Sequence, residues 1–138
     1  MGLQVIYVTP LVANQGLFLR LSRTFCEVDI DPGHSTMIVW VLDDRGTGAR
    51  FVQGSDNAGE AFVLNDPSNV PKGVFDTPAT VAQDGDLLWL HDQHKHQGSK
   101  SSPEYTLRVM WNGKAWDTPH KKSDSTDWRT KDPVIINR

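Results

Sequence analysis

Apolar side chains in this chain recur at every second position, and no segment sustains the three-and-four spacing of a helix face. Tyr105, Leu107, Val109 and Trp111 alternate with Thr106, Arg108 and Met110. Leu17, Leu19 and Leu21 alternate with Phe18, Arg20 and Ser22. Successive side chains of a strand point to opposite faces, so this period marks pleated ribbon with one face turned to a core. Helix beyond a turn or two is not expected. The chain must bury its apolar groups with sheets.

Reading along the chain places the strands and turns. Residues 3–8 are β-branched and aromatic and should end at Pro10. The alternating stretch 17–23 can continue through Phe25, with Cys26, Val28 and Ile30 as an apolar row, before the turn Asp31-Pro32-Gly33. Residues 36–42 are apolar on both faces and read as the central strand of a sandwich. Short strands are expected at 50–53 and 61–64, and irregular chain at 65–78, which holds Pro67, Pro71 and Pro78. Asp84-Gly85-Asp86 is a tight turn into Leu87–Leu90, a strand expected to be buried on both sides. Trp40 and Trp89 are assigned to the core on that basis. Asn112-Gly113 between two strand-like runs is a hairpin signal, because a type I′ turn needs positive φ at both central residues. Trp111 and Trp116 should then pair across it. Val134–Ile136 reads as a last strand opened by Pro133, where a missing N–H is tolerated.

The expected fold is all-β: one domain over residues 1–138, an antiparallel β-sandwich of about eight short strands with little or no helix. The connection lengths leave the topology open. The segments 65–78, 91–104 and 117–132 are long for such a fold, and long loops often carry function.

Charge and composition exclude several classes. A net charge of −3 offers no basic field for nucleic acid or anionic lipid. No apolar run approaches the roughly 20 residues of a membrane helix. The start lacks a charged n-region and an apolar h-region, and one cysteine, Cys26, precludes an internal disulfide. A cytoplasmic location is the expectation. Cys26 falls on an apolar row and reads as a structural thiol, not a nucleophile. There is no P-loop, G-x-S-x-G or H-E-x-x-H pattern, so an enzyme is not expected.

Three groups of residues carry candidate chemistry. His91, His94 and His96, with Asp92 beside them, form an imidazole cluster that would suit zinc, copper or nickel. The competing reading is a histidine-rich strand end running into a polar loop, and no cofactor is expected. Trp128, flanked by Asp127 and Arg129, stands in a polar segment and could stack on a sugar ring or fill a partner's pocket, with Trp116 as a neighbouring candidate. It could equally fold back over the sandwich edge. Paired acidic turns such as Asp43-Asp44 and Asp84/Asp86 match no calcium-loop spacing and read as turns.

The segment from Thr80 to Asp92, with its Gly85-Asp86 turn, the strand Leu87-Leu88-Trp89-Leu90 and His94 beyond, resembles a recurring strand of cupredoxin-like sandwiches. It is also similar to the bacterial inclusion-body protein family, as are His34-Ser35 before an apolar strand and Asp132-Pro133 near the end. These matches cover about a fifth of the chain and imply an Ig-like, cupredoxin-like or jelly-roll sandwich. A blue-copper site is disfavoured, since Met110 has no cysteine near it in the sequence. The inclusion-body resemblance implies no defined catalytic activity. The expected function is a non-catalytic bacterial-type domain acting through protein–protein interaction or self-assembly, with a protein partner or a second copy. The alternative is a carbohydrate- or metal-binding module using the 91–104 and 117–132 loops.

Overall fold

A computed structural model of the protein describes residues 2–13, 16–22, 27–30, 35–43, 46–70, 73–76, 78–93, 103–118 and 133–137. Eleven strands occur among them: β1 (Gly2–Ala13), β2 (Gly16–Leu21), β3 (Glu27–Ile30), β4 (Thr36–Leu42), β5 (Arg50–Phe51), β6 (Phe62–Leu64), β7 (Thr80–Val81), β8 (Leu87–Asp92), β9 (Tyr105–Trp111), β10 (Lys114–Asp117) and β11 (Val134–Asn137). The helical content among the described residues is two single 3-10 turns, Gly54–Asp56 and Pro67–Asn69. No helix among these residues is long and apolar enough to cross a membrane.

The strands form a five-stranded sheet in the order β2-β1-β4-β8-β7, and a second sheet in which β9 carries β10 on one side and β5 and β6 on the other. β3 and β11 pair separately. A bridge between Glu104 and Val134 ties that pair to the start of β9. The all-β sandwich expected from the alternation is the fold observed. Six of the eight strand pairings are antiparallel, and the two parallel ones join β1 to β4 and β3 to β11. β4 is central in its sheet, as its apolar composition predicts.

Two local expectations change. β1 does not stop at Pro10 but runs on to Ala13. The Ser22 N–H donates to the Tyr7 carbonyl at 2.9 Å, so odd-numbered residues of β1 turn their backbone groups to β2. Pro10 therefore faces the other way, and there β4 has already ended at the Val8–Leu42 pair. Its missing N–H costs no ladder bond. Trp89 is not a core residue either. It is half-buried on the outer side of β8, while Leu88 and Leu90 point inward.

The core lies between the two large sheets. Trp40 of β4 is fully buried, and its ring centroid lies 5.4 Å from Phe62 of β6 and 5.4 Å from Tyr105 of β9. Phe62 and Tyr105 stack at 5.2 Å. The Trp40 Nε1–H donates to the Tyr105 hydroxyl at 3.1 Å, so the one polar atom of the indole is satisfied inside. The β9–β10 hairpin turns as its Asn-Gly pair predicts, with φ of 52° at Asn112 and 73° at Gly113. Trp111 and Trp116 meet edge to face at 5.8 Å.

Tyr105→Phe keeps the ring but removes the acceptor for a buried indole N–H, which should cost about 1–3 kcal/mol. Tyr7→Phe, on an exposed ring, should stay within about 0.5 kcal/mol of wild type. Urea unfolding followed by tryptophan fluorescence measures both. Equal stabilities for the two variants would refute the role given to this contact.

Candidate interaction surface

The two sheets differ in what they turn outward. On the second sheet two outer positions of β9, Thr106 and Arg108, are polar and hydrogen-bonded, and the third, Met110, is apolar. Arg108 Nε and Nη2 donate to Asp117 at 2.7 and 3.1 Å, and Nη1 donates to the Ala58 carbonyl at 3.0 Å. Next along, the Thr106 hydroxyl donates to Asn65 at 2.6 Å.

The outer face of the five-stranded sheet is apolar instead. Register aligns Val5, Val39 and Trp89 in one row across β1, β4 and β8. Tyr7, Val41 and Leu87 form the next row. Leu3 and Met37 extend the first row's side of the patch, and Leu11 and Phe18 continue it onto β2. Leu3 is 64% exposed, Tyr7 55%, Phe18 38% and Leu11 37%. The remaining members are half-buried. Tyr7, Thr9, Leu11, Arg20 and Ser22 line an open depression where β1 meets β2. Large contiguous apolar patches are uncommon on monomers and mark contact surfaces.

Of the sequence-predicted ligands, His91 ends the row of Leu3 and Met37. Its Nδ1 lies 2.9 Å from Asp76 Oδ2, and the Gln93 amide donates to Asp76 Oδ1 at 2.5 Å. The His91 Nε2 is buried, without a hydrogen-bond partner among the described residues. One ring nitrogen is thus engaged by a carboxylate and the other is shielded. His94 and His96 lie outside the described residues, and no group of three or more metal-ligating side chains occurs among the described ones. Trp116 is half-buried, donates Nε1–H to the Trp111 carbonyl at 3.3 Å, and has the Lys114 ammonium 4.8 Å from its ring centroid. Trp128, Asp127 and Arg129, its expected companions, lie outside the described residues, as does Cys26.

A second open cleft is lined by residues 52–54, 59–60, 79, 81 and 83. The polar groups around it mostly hold one another. Arg50 grips Asp56 through two bonds of 2.7 and 2.6 Å. The Gln53 N–H donates to Asp56 at 2.8 Å, and the Gln53 amide donates to the carbonyls of Ala82 and Gln83 at 3.2 and 2.8 Å. This network clasps the 53–56 turn to the 82–85 turn. Gly85 is required where the two meet: its φ is +74°, and a Cβ there would come within 2.8 Å of Arg50 Cβ.

The Arg50 guanidinium, and then the Gln53 N–H, hold the Asp56 carboxyl down to about 2. A carboxyl with a lowered folded pKa stabilises the fold above its unfolded value of about 3.9 and loses that contribution as pH falls toward 2. Asp56→Asn should therefore be less stable than wild type at pH 6, with the gap closing between pH 4 and pH 2. Urea midpoints against pH test this, and a gap that stays constant to pH 2 would refute it.

The sequence matches no protein-family model, and no curated protein matches it. What the described residues present is an apolar sheet face, an Arg50–Asp56–Gln53 network closed on itself, and a His91 imidazole held by Asp76 through one ring nitrogen.

Proposed function

We propose that the protein acts without catalysis, through protein–protein contact across the outer face of the five-stranded sheet, self-assembly included. The observation that carries this reading is the pair of apolar rows on β1, β4 and β8, left open at Leu3 and Tyr7. A solvated face in that position would carry polar residues at its outer positions, as Arg108 does on β9.

In sequence, residues 94–102 contain no large apolar side chain, residues 119–132 contain Trp128, and residues 23–26 contain Phe25. A cover of matching area is better supplied by another polypeptide. The Arg50–Asp56 pair is closed on itself, which leaves that polar cluster no group to offer a ligand. A single cysteine suits a reducing compartment, in keeping with a cytoplasmic partner.

Light scattering over a range of concentrations should show a mass that rises with concentration. Tyr7→Glu places a charge in the middle of the face and should shift the protein toward monomer while leaving the far-ultraviolet spectrum unchanged. A strict monomer, or an association indifferent to Tyr7→Glu, would sink the reading.

A further inference from the structure

β2 is an edge strand, and among the described residues it pairs with β1 alone. Its pairing phase decides what the edge offers. The bond from the Ser22 N–H to the Tyr7 carbonyl makes Tyr7–Ser22, Thr9–Arg20 and Leu11–Phe18 the closely bonded pairs. The N–H and C=O groups of Leu17, Leu19 and Leu21 therefore point away from β1, out of the sheet. Their side chains are buried in the core, which holds this row of donors and acceptors in place.

Edges of this kind are normally guarded by proline, lysine, a bulge or shortness. The opposite edge of the sheet, β7, is two residues long. On the second sheet, β10 at one edge carries Lys114 and Asp117, and on the other side β5 and β6 are two and three residues long. β2 has six residues, no proline and one charge, Arg20.

We propose that a second copy of this chain pairs with this edge, β2 against β2, antiparallel about a two-fold axis through Leu19. The inference rests on reading the domain as one that works by protein contact, and it names the partner. The sequence Leu17-Phe18-Leu19-Arg20-Leu21 is self-complementary about its centre. The axis sets Leu19 against Leu19 and Leu17 against Leu21, so all three outward-facing backbone positions bond in both directions. It also sets Phe18 against Arg20, close enough for the guanidinium to lie on the ring. A centre at Arg20 would bring two like charges face to face. A centre at Phe18 would use fewer of the outward groups. A closed, isologous contact of this kind stops at two copies. It also joins two outer faces into one continuous apolar surface, because Phe18 and Leu11 already extend that face onto the β1–β2 hairpin.

Charge exchange tests the pairing. Phe18→Lys opposes the introduced lysine to Arg20 twice over in the dimer and should weaken association by on the order of tenfold. Adding Arg20→Glu makes both contacts attractive and should restore it. In a Cys26→Ser background, Phe18→Cys with Arg20→Cys should yield a disulfide-linked dimer on non-reducing gels, whereas either cysteine alone should not. Circular dichroism of each variant confirms the fold.

Association that is lost with Phe18→Lys and not recovered by Arg20→Glu overturns the edge pairing, as does absence of the cross-link. Cross-linking by Phe18→Cys alone overturns the Leu19 axis. If these fail while association still responds to Tyr7→Glu, the face reading survives without the edge. If wild type is strictly monomeric, both fall.

Discussion

The contact between Trp40 and Tyr105 is the point at which two separate sheets become one structure. Trp40 hangs from β4, the middle strand of the five-stranded sheet, and Tyr105 opens β9, the strand that β5, β6 and β10 all pair with. Edge-to-face geometry at 5.4 Å, with the indole N–H on the phenol oxygen at 3.1 Å, fixes both the spacing and the relative position of the layers. A purely apolar contact would tolerate sliding. A buried hydrogen bond does not, because a shift would strip the buried Trp40 N–H of its acceptor. Phe62 stacks on the same tyrosine and touches the same tryptophan, so β6 is placed by this pair as well.

With the layers locked in this way, the outer faces are free to diverge. The second sheet spends its outward positions on Arg108, Asp117 and Thr106, each paired at hydrogen-bond distance. The first sheet places valines, Trp89, Tyr7 and Leu87 in the equivalent positions. Nothing in the interior demands that difference, since the inward residues of β4 and β8 would fill the core whichever residues stood behind them. The asymmetry is therefore not required by the fold, and the proposed contact surface accounts for it.

Most of the fold is legible in the sequence because the period-two signal is strong where one face is wet. β9 shows this best: Tyr105, Leu107 and Val109 are buried, and the intervening Arg108 and Met110 are less so. The Asn112-Gly113 hairpin is legible because its chemistry permits few other turns. Pro10 misleads because a proline read alone stops a strand, whereas its effect depends on which neighbour its nitrogen faces, and that is a property of the pairing. Trp89 misleads for a related reason. A strand apolar on both sides is read as buried on both sides, and Leu87–Leu90 satisfies that pattern while standing in the outer layer. The contact face was thus present in the sequence as an excess of apolar residues. Only the register of β1, β4 and β8 reveals that the excess falls on a single open side. The phase of the β2 edge was not legible at all, since it follows from a turn and a pairing that no local pattern states.

A two-layer sandwich has one interior, and each sheet needs one apolar face to build it. The central strands β1, β4 and β8 carry two. Left in water, the second face weakens solubility and adds nothing to the core. Covered, it gains on the order of 25 cal/mol for each square ångström removed from solvent, the same term that drives folding. The composition of these three strands is that of the middle layer in a three-layer arrangement. The proposed partner surface would supply that third layer, and the proposed pairing of two β2 edges would set two such faces side by side in one plane.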